Sequence, residues 1–260
     1  MKALLLAGGY GTRLRPLTDF LPKCLMPIKG YPLLEYWLQD VNDLDLEGVL
    51  INLHYLSGQV ESYIENSIYK ESVKTTFEKK LLGTAGTIKN NFNYFKDESL
   101  LVIHADNFCS CDLGAFVKFH FKKRPQNTVM SMMVFETSNP KNCGVIKINE
   151  KNVVTNFFEK VDSPPSTLAN AAIYILENEV IEFINNIDKE IIDFSIDVIP
   201  HFIGEIAAWA NTKHLIDIGT IENLKKAQKI KLKNKIDSKS SQDWLNNYKE
   251  NIVHRMLEKN

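Results

Sequence analysis

Cysteine is scarce in this chain: among 260 residues there are only four, Cys24, Cys109, Cys111 and Cys143. A chain of this length with so few cysteines is not held together by a disulfide framework. One residue separates Cys109 from Cys111, whereas a zinc knuckle has two between its cysteines, and the sequence has no second pair to complete a tetrahedral site. We therefore expect buried, reduced thiols and no structural metal.

Long apolar runs and an excess of one charge are also missing. No run approaches the roughly 18–20 apolar residues of a membrane span. Residues 1–7 carry one positive charge, Lys2, and an apolar stretch that Gly8-Gly9 cuts short, and no small-residue cleavage site follows, which argues against a signal peptide. The formal net charge is −1, and no basic stripe with interleaved aromatics indicates nucleic-acid binding. We expect a soluble, cytoplasmic protein that uses neither membrane nor nucleic acid and binds anions through local groups.

Short apolar segments alternate with amphipathic ones. Residues 48–53 are typical of a buried strand, whereas Leu34, Trp37, Leu38 and Val41 have the i, i+3, i+4, i+7 spacing of a helix. Strands that alternate with helices indicate right-handed βαβ units. We therefore expect a Rossmann-like α/β fold, with a mostly parallel mixed sheet flanked by helices.

The predicted elements cover residues 1–230. Strands are expected at residues 4–7, 48–53, 73–77, 100–103, 128–136, 144–148, 153–159, 171–176, 205–210 and 215–218. Helices are expected at residues 32–44, 60–68, 84–95, 113–123 and 195–202 and from 221 onward, with Thr84 and Ser195 as N-caps. Residues 231–260 are predicted to be a helical C-terminal tail, which could pack on its own domain or on a partner subunit, so that a homodimer stays open.

A glycine-rich turn directly follows the first predicted strand. Gly8, Gly9 and Gly11 would let backbone N–H groups approach phosphate oxygens, whereas a plain strand–helix turn needs no arginine such as Arg13. The turn lacks the Gly-Lys-Ser/Thr ending of a P-loop. Leu14 stands where a dinucleotide fingerprint has its third glycine, which argues against a nicotinamide-dependent oxidoreductase. The turn therefore predicts a phosphate site of another kind.

Several separated motifs together resemble the sugar-1-phosphate nucleotidyltransferase family, whose members join a nucleoside triphosphate to a sugar 1-phosphate and release pyrophosphate. The motifs are Gly8-Gly9-x-Gly11-Thr12-Arg13-Leu14-Arg15-Pro16-Leu17-Thr18, Pro22-Lys23-x-Leu25-Met26-Pro27-Ile28, Gly83-Thr84-Ala85-Gly86, His104-Ala105-Asp106, Glu159-Lys160, Asn170-Ala171-Ala172-Ile173-Tyr174 and Asp217-Ile218-Gly219-Thr220. They cover about residues 1–230. The segment Asn52-Leu53-His54-Tyr55 is most similar to mannose-1-phosphate guanylyltransferases.

The resemblance implies which residues hold the nucleotide. The reaction brings a phosphate monoester with a charge of roughly −2 against a triphosphate, so positioning and charge neutralisation dominate. Arg13 would neutralise the departing pyrophosphate, and Lys23 would contact the α-phosphate or the sugar phosphate. The residues expected to bind the nucleotide are Leu6, Ala7, Gly8, Gly9, Gly11, Thr12, Arg13, Gly83 and Thr84.

Asp106 and Asp217 each follow an apolar run that is predicted to be a strand. Ligands of open α/β sheets bind at the carboxyl ends of the strands, and two carboxylates on separate strands can hold Mg²⁺. A turn or N-cap aspartate is the alternative for either residue. The resemblance places a magnesium cofactor on this pair.

The resemblance also implies an acceptor side. Glu159 would bind sugar hydroxyls, and Lys160 would be catalytic through the sugar phosphate. Asn170 would bind the sugar, which Gly144 would let approach the backbone. The expected division is a nucleotide-binding part at about residues 1–110 and a sugar-binding part at about 111–220.

The predicted substrates are GTP and mannose or heptose 1-phosphate. Thymidylyl or uridylyl transfer to glucose 1-phosphate, or to an amino sugar 1-phosphate, stays open because single substitutions can change base selection. A non-catalytic regulatory subunit that binds nucleotide sugar would be expected to lose a charged residue. All of the charged residues expected here are present: Arg13, Lys23, Asp106, Lys160 and Asp217.

Overall fold

The computed structural model describes residues 1–230, 244, 246–247 and 251–258. These residues cluster into two compact units, each built from separate stretches of chain. The first unit consists of Met1–Leu4, Leu82–Ile103 and Cys111–Lys213, and the second of Leu5–Leu81, His104–Ser110 and the described residues from His214 onward. Each unit combines stretches of chain that are far apart in sequence. The predicted division into a nucleotide-binding part up to about residue 110 and a sugar-binding part after it therefore concerns function, not these units, and stays a prediction.

The second unit contains a pair of parallel strands and an amphipathic helix. β4 (Val49–Leu53) is buried at all five residues, which explains its uninterrupted apolar run, and it pairs in parallel with β5 (Val73–Phe77). α1 (Leu33–Asn42) follows Pro32 and buries the predicted apolar stripe. The unit also contains β2 (Pro27–Ile28), β3 (Tyr31–Pro32), α2 (Ser57–Glu65), β7 (Asn107–Cys109), β13 (Leu215–Asp217), α7 (Ile221–Gln228) and α8 (Ile252–Glu258).

The first unit is organised around β11 (Leu168–Leu176), which pairs antiparallel with three strands. Those strands are β6 (Leu100–His104), β8 (Met130–Glu136) and β9 (Gly144–Ile148). β9 also pairs antiparallel with β10 (Val154–Glu159), and β12 (Ile206–Ala210) pairs in parallel with β8. The helices are α3 (Gly86–Asn90), α4 (Phe92–Phe95), α5 (Leu113–Lys122) and α6 (Asn178–Asn185). β1 (Lys2–Leu6) is divided between the two units.

The fold class predicted from the sequence is confirmed: a Rossmann-like mixed sheet is flanked by helices. The predicted strands all occur, with ends that differ by a few residues. Three short elements were not expected, namely β2, β3 and β7, and neither was helix α6. Strands of two or three residues carry too little alternation to be recognised from sequence.

Two predicted helix caps are wrong, and so is one helix end. Thr84 does not cap a helix: α3 begins after Ala85, and the Thr84 hydroxyl accepts the N–H of Phe194 at 2.8 Å. The turn Phe194–Val198 is capped by the side chain of Asp193, which accepts from the N–H groups of residues 195 and 196. Ile68 lies beyond the end of α2 and is exposed. At Thr84 a tertiary contact displaced the predicted cap, whereas at Ser195 a neighbouring residue, Asp193, supplies the cap instead.

The four cysteines are thiols and form no disulfide with one another; Cys24 and Cys109 are buried, whereas Cys111 and Cys143 are half-buried. The expectation of buried thiols is therefore correct for two of them. Burial, together with the nearby Asp106 carboxylate, raises the pKa of the Cys24 thiol to about 12. This thiol is protonated at neutral pH and has no nucleophilic character.

The predicted C-terminal tail is described in part. Val253 of α8 is fully buried, so this helix packs on its own chain. Residues 231–243, 245, 248–250 and 259–260, which the tail prediction also covers, lie outside the described residues. Among the residues that the structure describes, no helix is long and apolar enough to cross a membrane.

Candidate active site

The glycine-rich turn leaves the end of β1 in the second unit. Gly11 has a φ of 61°, and a Cβ there would lie 2.8 Å from Thr18 Cγ2 and 3.2 Å from Lys23 Cβ, so this position requires glycine. Within the described part of the chain, the backbone N–H groups of residues 8–11 donate no hydrogen bond. Successive backbone N–H groups that lack protein acceptors form a concave site suited to phosphate oxygens.

Lys23 connects the two predicted metal ligands. Its Nζ donates to Asp106 Oδ2 at 2.8 Å and to Asp217 Oδ1 at 2.7 Å, and its side chain is only 6% exposed. Arg13 Nη2 donates to the other oxygen of Asp217, Oδ2, at 2.9 Å. The residues predicted separately as cations and as metal ligands therefore form one charged cluster: Arg13, Lys23, Asp106 and Asp217.

A short antiparallel ribbon brings the two aspartates together. Asp217 ends β13 and pairs with Asn107 of β7, the residue that follows Asp106. The ribbon thus holds the carboxylates side by side although they are far apart in sequence. Lys23 reaches them from a buried 3₁₀ turn, Lys23–Leu25.

Gly219 is a site residue to which sequence reasoning gave no role. Its N–H donates to Asp217 Oδ1 at 2.9 Å. A Cβ at this position would lie 2.8 Å from Arg13 Nη2 and 2.9 Å from Asp217 Oδ1, so only glycine leaves room for the ion pair. The signal that could have found it is a glycine two residues after a predicted metal ligand.

The ionisable groups of the cluster stabilise one another. Burial disfavours the charged form of Lys23, but the carboxylates of Asp106 and Asp217 outweigh it and raise its pKa above 10.5. Burial likewise opposes the Asp217 carboxylate, whereas Lys23 and Arg13 outweigh it and lower its pKa below 3.8. Both side chains are therefore charged at neutral pH.

The charged cluster and the glycine-rich turn line the same cavity. Its volume is about 280 Å³, and its lining residues are Tyr10, Gly11, Thr12, Arg13, Lys23, Asp106 and Gly219. The Lys23 ammonium already lies between the two carboxylates, which shows that the pair accommodates a cation. Within the described residues, no group of three or more His, Cys, Asp or Glu side chains forms a complete metal cage. Two carboxylates fit Mg²⁺, which takes few protein ligands beside phosphates and water.

A hydrogen-bonded group beside the turn was not identified as a site from the sequence. The N–H of Ala7, a predicted nucleotide ligand, donates to Asn52 Oδ1 at 2.8 Å, and Asn52 Nδ2 donates to Glu78 Oε1 at 3.1 Å. A Cβ on Gly8 would lie 3.1 Å from Asn52 Nδ2. Glu78 is 3% exposed. The side chain of Asn52 therefore connects the turn to the buried carboxylate of Glu78.

In the first unit, the predicted acceptor residues Gly144 and Glu159 are direct cross-strand partners. A Cβ on Gly144 would lie 2.6 Å from Glu159 Oε2 and 2.7 Å from the ring of Phe157, so glycine is needed here. Lys160 has a positive φ of 47° and pairs with Glu159 at 3.0 Å, but its side chain is 66% exposed. These three residues lie together at the end of β10.

Asn170 lies at an irregularity of β11. Its Oδ1 accepts the N–H of Ala172 at 2.9 Å and its Nδ2 donates to the Tyr174 hydroxyl at 2.6 Å. Ala172 has a positive φ of 55°, and the register with β8 shifts between Asn170 and Tyr174. A bulge that re-aims side chains is frequent next to active sites.

Gly83 and Thr84 lie in the first unit, on the turn before α3. A Cβ on Gly83 would lie 2.4 Å from the carbonyl oxygen of Ile192, and Gly83 has a φ of 81°. The turn is held by this close approach and by the bond from Phe194 to Thr84. Both residues thus have a packing role, and their contact with nucleotide stays a prediction.

Comparison with known proteins identifies the family. The family model described as nucleotidyl transferase matches residues 2–234, so this chain belongs to the nucleotidyl transferase family. The chain is 28% identical over 226 residues to mannose-1-phosphate guanylyltransferase of Mycobacterium tuberculosis, with 85% of this chain and 62% of that protein covered. It is 32% identical over 198 residues to UTP–glucose-1-phosphate uridylyltransferase of Synechocystis, with 71% and 51% covered.

A solved structure is also similar. The crystal structure of HddC from Yersinia pseudotuberculosis complexed with GMP-PN superposes with a TM-score of 0.72 at 26% identity, covering 87% of this chain and 97% of that one. The chain spans about half the length of the curated relatives it matches. These relatives include guanylyl- and uridylyltransferases, so the comparison establishes the family but does not assign the nucleobase of a substrate.

Proposed function

We propose that this chain transfers a nucleotidyl group from a nucleoside triphosphate to a sugar 1-phosphate and releases pyrophosphate. The observation that carries the proposal is the charged cluster. It lines one cavity with a glycine-rich turn whose N–H groups meet no acceptor among the residues that the structure describes. A turn with only a structural role does not require a buried lysine that is bound by two carboxylates. Burying such charges costs free energy, and charged groups with this kind of burial are common in active sites.

The chemistry follows from the charges. A phosphate oxygen of the sugar phosphate attacks the α-phosphorus, a new P–O bond forms, and the bond from the α-phosphorus to the bridging oxygen breaks as pyrophosphate leaves. The monoester is already largely a dianion at neutral pH, so no base is required. The turn would hold the triphosphate, Lys23 would stabilise the charge at the α-phosphate, and the exposed Arg13 would neutralise the leaving group.

Asp106 and Asp217 would hold Mg²⁺. When bound, the ion would supply charge neutralisation between the two phosphate groups. Asp217 also accepts from Arg13 and from Gly219, and these bonds fix the orientation of its carboxylate. Lys160 and Glu159, with Asn170 and Gly144, would bind the sugar 1-phosphate.

We propose GTP as the nucleotide, with mannose or heptose 1-phosphate as acceptor. Guanine presents two adjacent donors, N1–H and the N2 amino group, and a carboxylate accepts two such donors side by side. Glu78 is the buried carboxylate beside the turn, and because its Oε1 accepts from Asn52 Nδ2, its binding of guanine would require this side chain to exchange its present partners for the base. The similarity to a mannose-1-phosphate guanylyltransferase and to a structure complexed with GMP-PN supports the same choice.

The test is a pyrophosphate-release assay with GTP, UTP, dTTP and ATP against mannose, heptose, glucose and amino sugar 1-phosphates. We expect the largest kcat/KM with GTP and a manno-configured acceptor. In Glu78→Gln, kcat/KM with GTP should fall about tenfold or more while kcat/KM with UTP changes little, because an amide NH2 group, which is a donor, replaces one of the two acceptor oxygens. Equal losses with both nucleotides would overturn the role of Glu78 in base selection.

The second candidate is a thymidylyl- or uridylyltransferase that acts on glucose or an amino sugar 1-phosphate, which the similarity to a uridylyltransferase favours. Preference for UTP or dTTP in the same assay would establish it. A regulatory subunit that binds nucleotide sugar without turnover is the alternative from another class. Binding of GDP-mannose without pyrophosphate release under any condition would favour that alternative.

A further inference from the structure

Two residues beside the glycine-rich turn have no part in the mechanism above. Tyr10 stands between Gly9 and Gly11, and its side chain is 46% exposed. The turn is loosely packed here, because a Cβ on Gly9 would meet nothing within 4 Å. An exposed tyrosine in a turn of glycines therefore needs another attachment, and its hydroxyl lies 2.8 Å from Nε2 of His54.

The hydrogen bonds of His54 define its tautomer. Nδ1 lies 2.7 Å from the backbone carbonyl oxygen of Glu78. A carbonyl oxygen only accepts, so Nδ1 carries a proton, and in the neutral ring Nε2 accepts the proton of the Tyr10 hydroxyl. The two rings also meet edge to face, with centroids 5.1 Å apart and an interplanar angle of 86°. His54 is thus held in one orientation from both sides.

Two hydrogen-bonded chains therefore run from the turn to the same residue. One goes from the N–H of Ala7 through the Asn52 side chain to the Glu78 carboxylate. The other goes from the Tyr10 hydroxyl through His54 to the Glu78 carbonyl. The N–H groups of residues 8–11, which we assign to phosphate binding, begin right after the first attachment and end right after the second.

We propose that Tyr10 and His54 are positioning residues that hold the phosphate-binding turn in register with Glu78. This inference rests on the proposed function, because it concerns the same nucleotide. Glycine-rich backbone is conformationally free, so an unattached turn would lose entropy when phosphate binds. The hydrogen bond at Tyr10 orders the turn before the nucleotide binds, so less entropy is lost on binding. Because the same bonds lead to Glu78, they also connect the phosphate-binding turn to the residue proposed to bind the base.

The test uses three variants and a matched control. Tyr10→Phe removes only the hydroxyl. His54→Asn keeps an amide N–H near the Nδ1 position, which can still donate to Glu78, but cannot reach Tyr10. The third variant combines the two changes. Tyr55→Phe is the control, because it removes a hydroxyl from a ring 5.5 Å from that of Tyr10 and leaves the Tyr10–His54 bond intact.

GTP affinity by calorimetry and the kinetic constants are measured for all five proteins. We expect Tyr10→Phe and His54→Asn each to raise the Kd and KM for GTP about fivefold, which is about 1 kcal/mol. We expect kcat and the KM for the sugar phosphate to stay within twofold. The double variant should be no weaker than His54→Asn alone, because both changes break the same bond, and Tyr55→Phe should bind like the wild type.

Unchanged GTP affinity in Tyr10→Phe, an equal loss in Tyr55→Phe, or additive losses in the double variant would each overturn the inference. A fall in kcat with no change in Kd would do so as well, because positioning of the bound nucleotide must appear in its affinity. Absence of turnover in the wild type would count against the proposed function alone, since the affinities still decide the role of Tyr10 and His54. A wild type that binds no nucleotide would overturn both.

Discussion

The two lysines predicted to be catalytic have opposite surroundings. Lys23, in the second unit, is 6% exposed and donates to two carboxylates, whereas Lys160, in the first unit, is 66% exposed and pairs with Glu159. The first is held in place before any ligand arrives, and the second keeps most of its side-chain freedom. From this difference we expect Lys23 to keep its position when a ligand binds, and Lys160 to become ordered only when a ligand binds.

The largest loss of activity is expected when a carboxylate is removed from the charged cluster. We expect Asp217→Asn and Asp106→Asn each to lower kcat at least about a hundredfold in the pyrophosphate assay, because each change removes a proposed metal ligand and an ion-pair partner of Lys23. Binding of Mn²⁺, followed by electron paramagnetic resonance, should weaken in both. Asp19→Asn is the control, because Asp19 pairs on the surface with Arg15. Near-normal turnover would remove the metal assignment.

Replacing Lys23 by Met tests whether the cluster is held together electrostatically. The pKa of Lys23 is raised, so its contribution to stability is fully present below about pH 10.5 and is lost as the pH rises through the folded pKa. The pKa of Asp217 is lowered, so its contribution is present above about pH 3.8 and is lost as the pH falls through the folded pKa.

Urea unfolding across both pH ranges measures these two losses. We expect Lys23→Met to lack the alkaline loss and to have a smaller acid loss than the wild type, together with a kcat lower by roughly a hundredfold. Identical pH profiles for the two proteins would show that the ion pairs of Lys23 do not stabilise the fold.

On the acceptor side, Gly144→Ala should have an intermediate effect. The new Cβ would meet Glu159 Oε2 and the Phe157 ring well inside contact distance, so we expect a loss of about 1–3 kcal/mol in stability and a higher KM for the sugar phosphate. Gly58→Ala is the matched control, because a Cβ there meets nothing within 4 Å. A raised KM for the nucleotide instead would contradict the assignment of Gly144 to the sugar.

The smallest effect is expected for Lys160→Ala. Its exposed ion pair with Glu159 contributes little to stability, so the melting temperature should hardly change. The KM for the sugar phosphate should rise about tenfold, because the proposed contact with the phosphate is lost. Lys151→Ala, an exposed turn lysine in the same unit, should change neither quantity. A large loss of stability in Lys160→Ala would mean that the two lysines differ less than their surroundings indicate.

Sequence reasoning succeeded where the signal is local. The buried run of β4 and the apolar stripe of α1 were predicted because the buried positions of a strand or helix are close in sequence, and their apolar residues follow a regular spacing. It failed at Thr84 and Ser195, where a capping residue type is present but Phe194 and Asp193 offer competing hydrogen bonds. It gave the side chains of Glu78 and His54 no role, although His54 lies in the segment that resembles mannose-1-phosphate guanylyltransferases, because their hydrogen bonds join residues that are distant in sequence.

By itself, the sequence determined the class of fold, the family and the chemical inventory of the site, because strand and helix periods, glycines and charged side chains can be read position by position. Only the tertiary structure decided which charges meet. The pairing of β13 with β7 places Asp217 beside Asp106, and the buried turn of Lys23 brings its ammonium between them. Such contacts join residues up to 204 positions apart, and their register depends on packing that no local segment of the chain encodes.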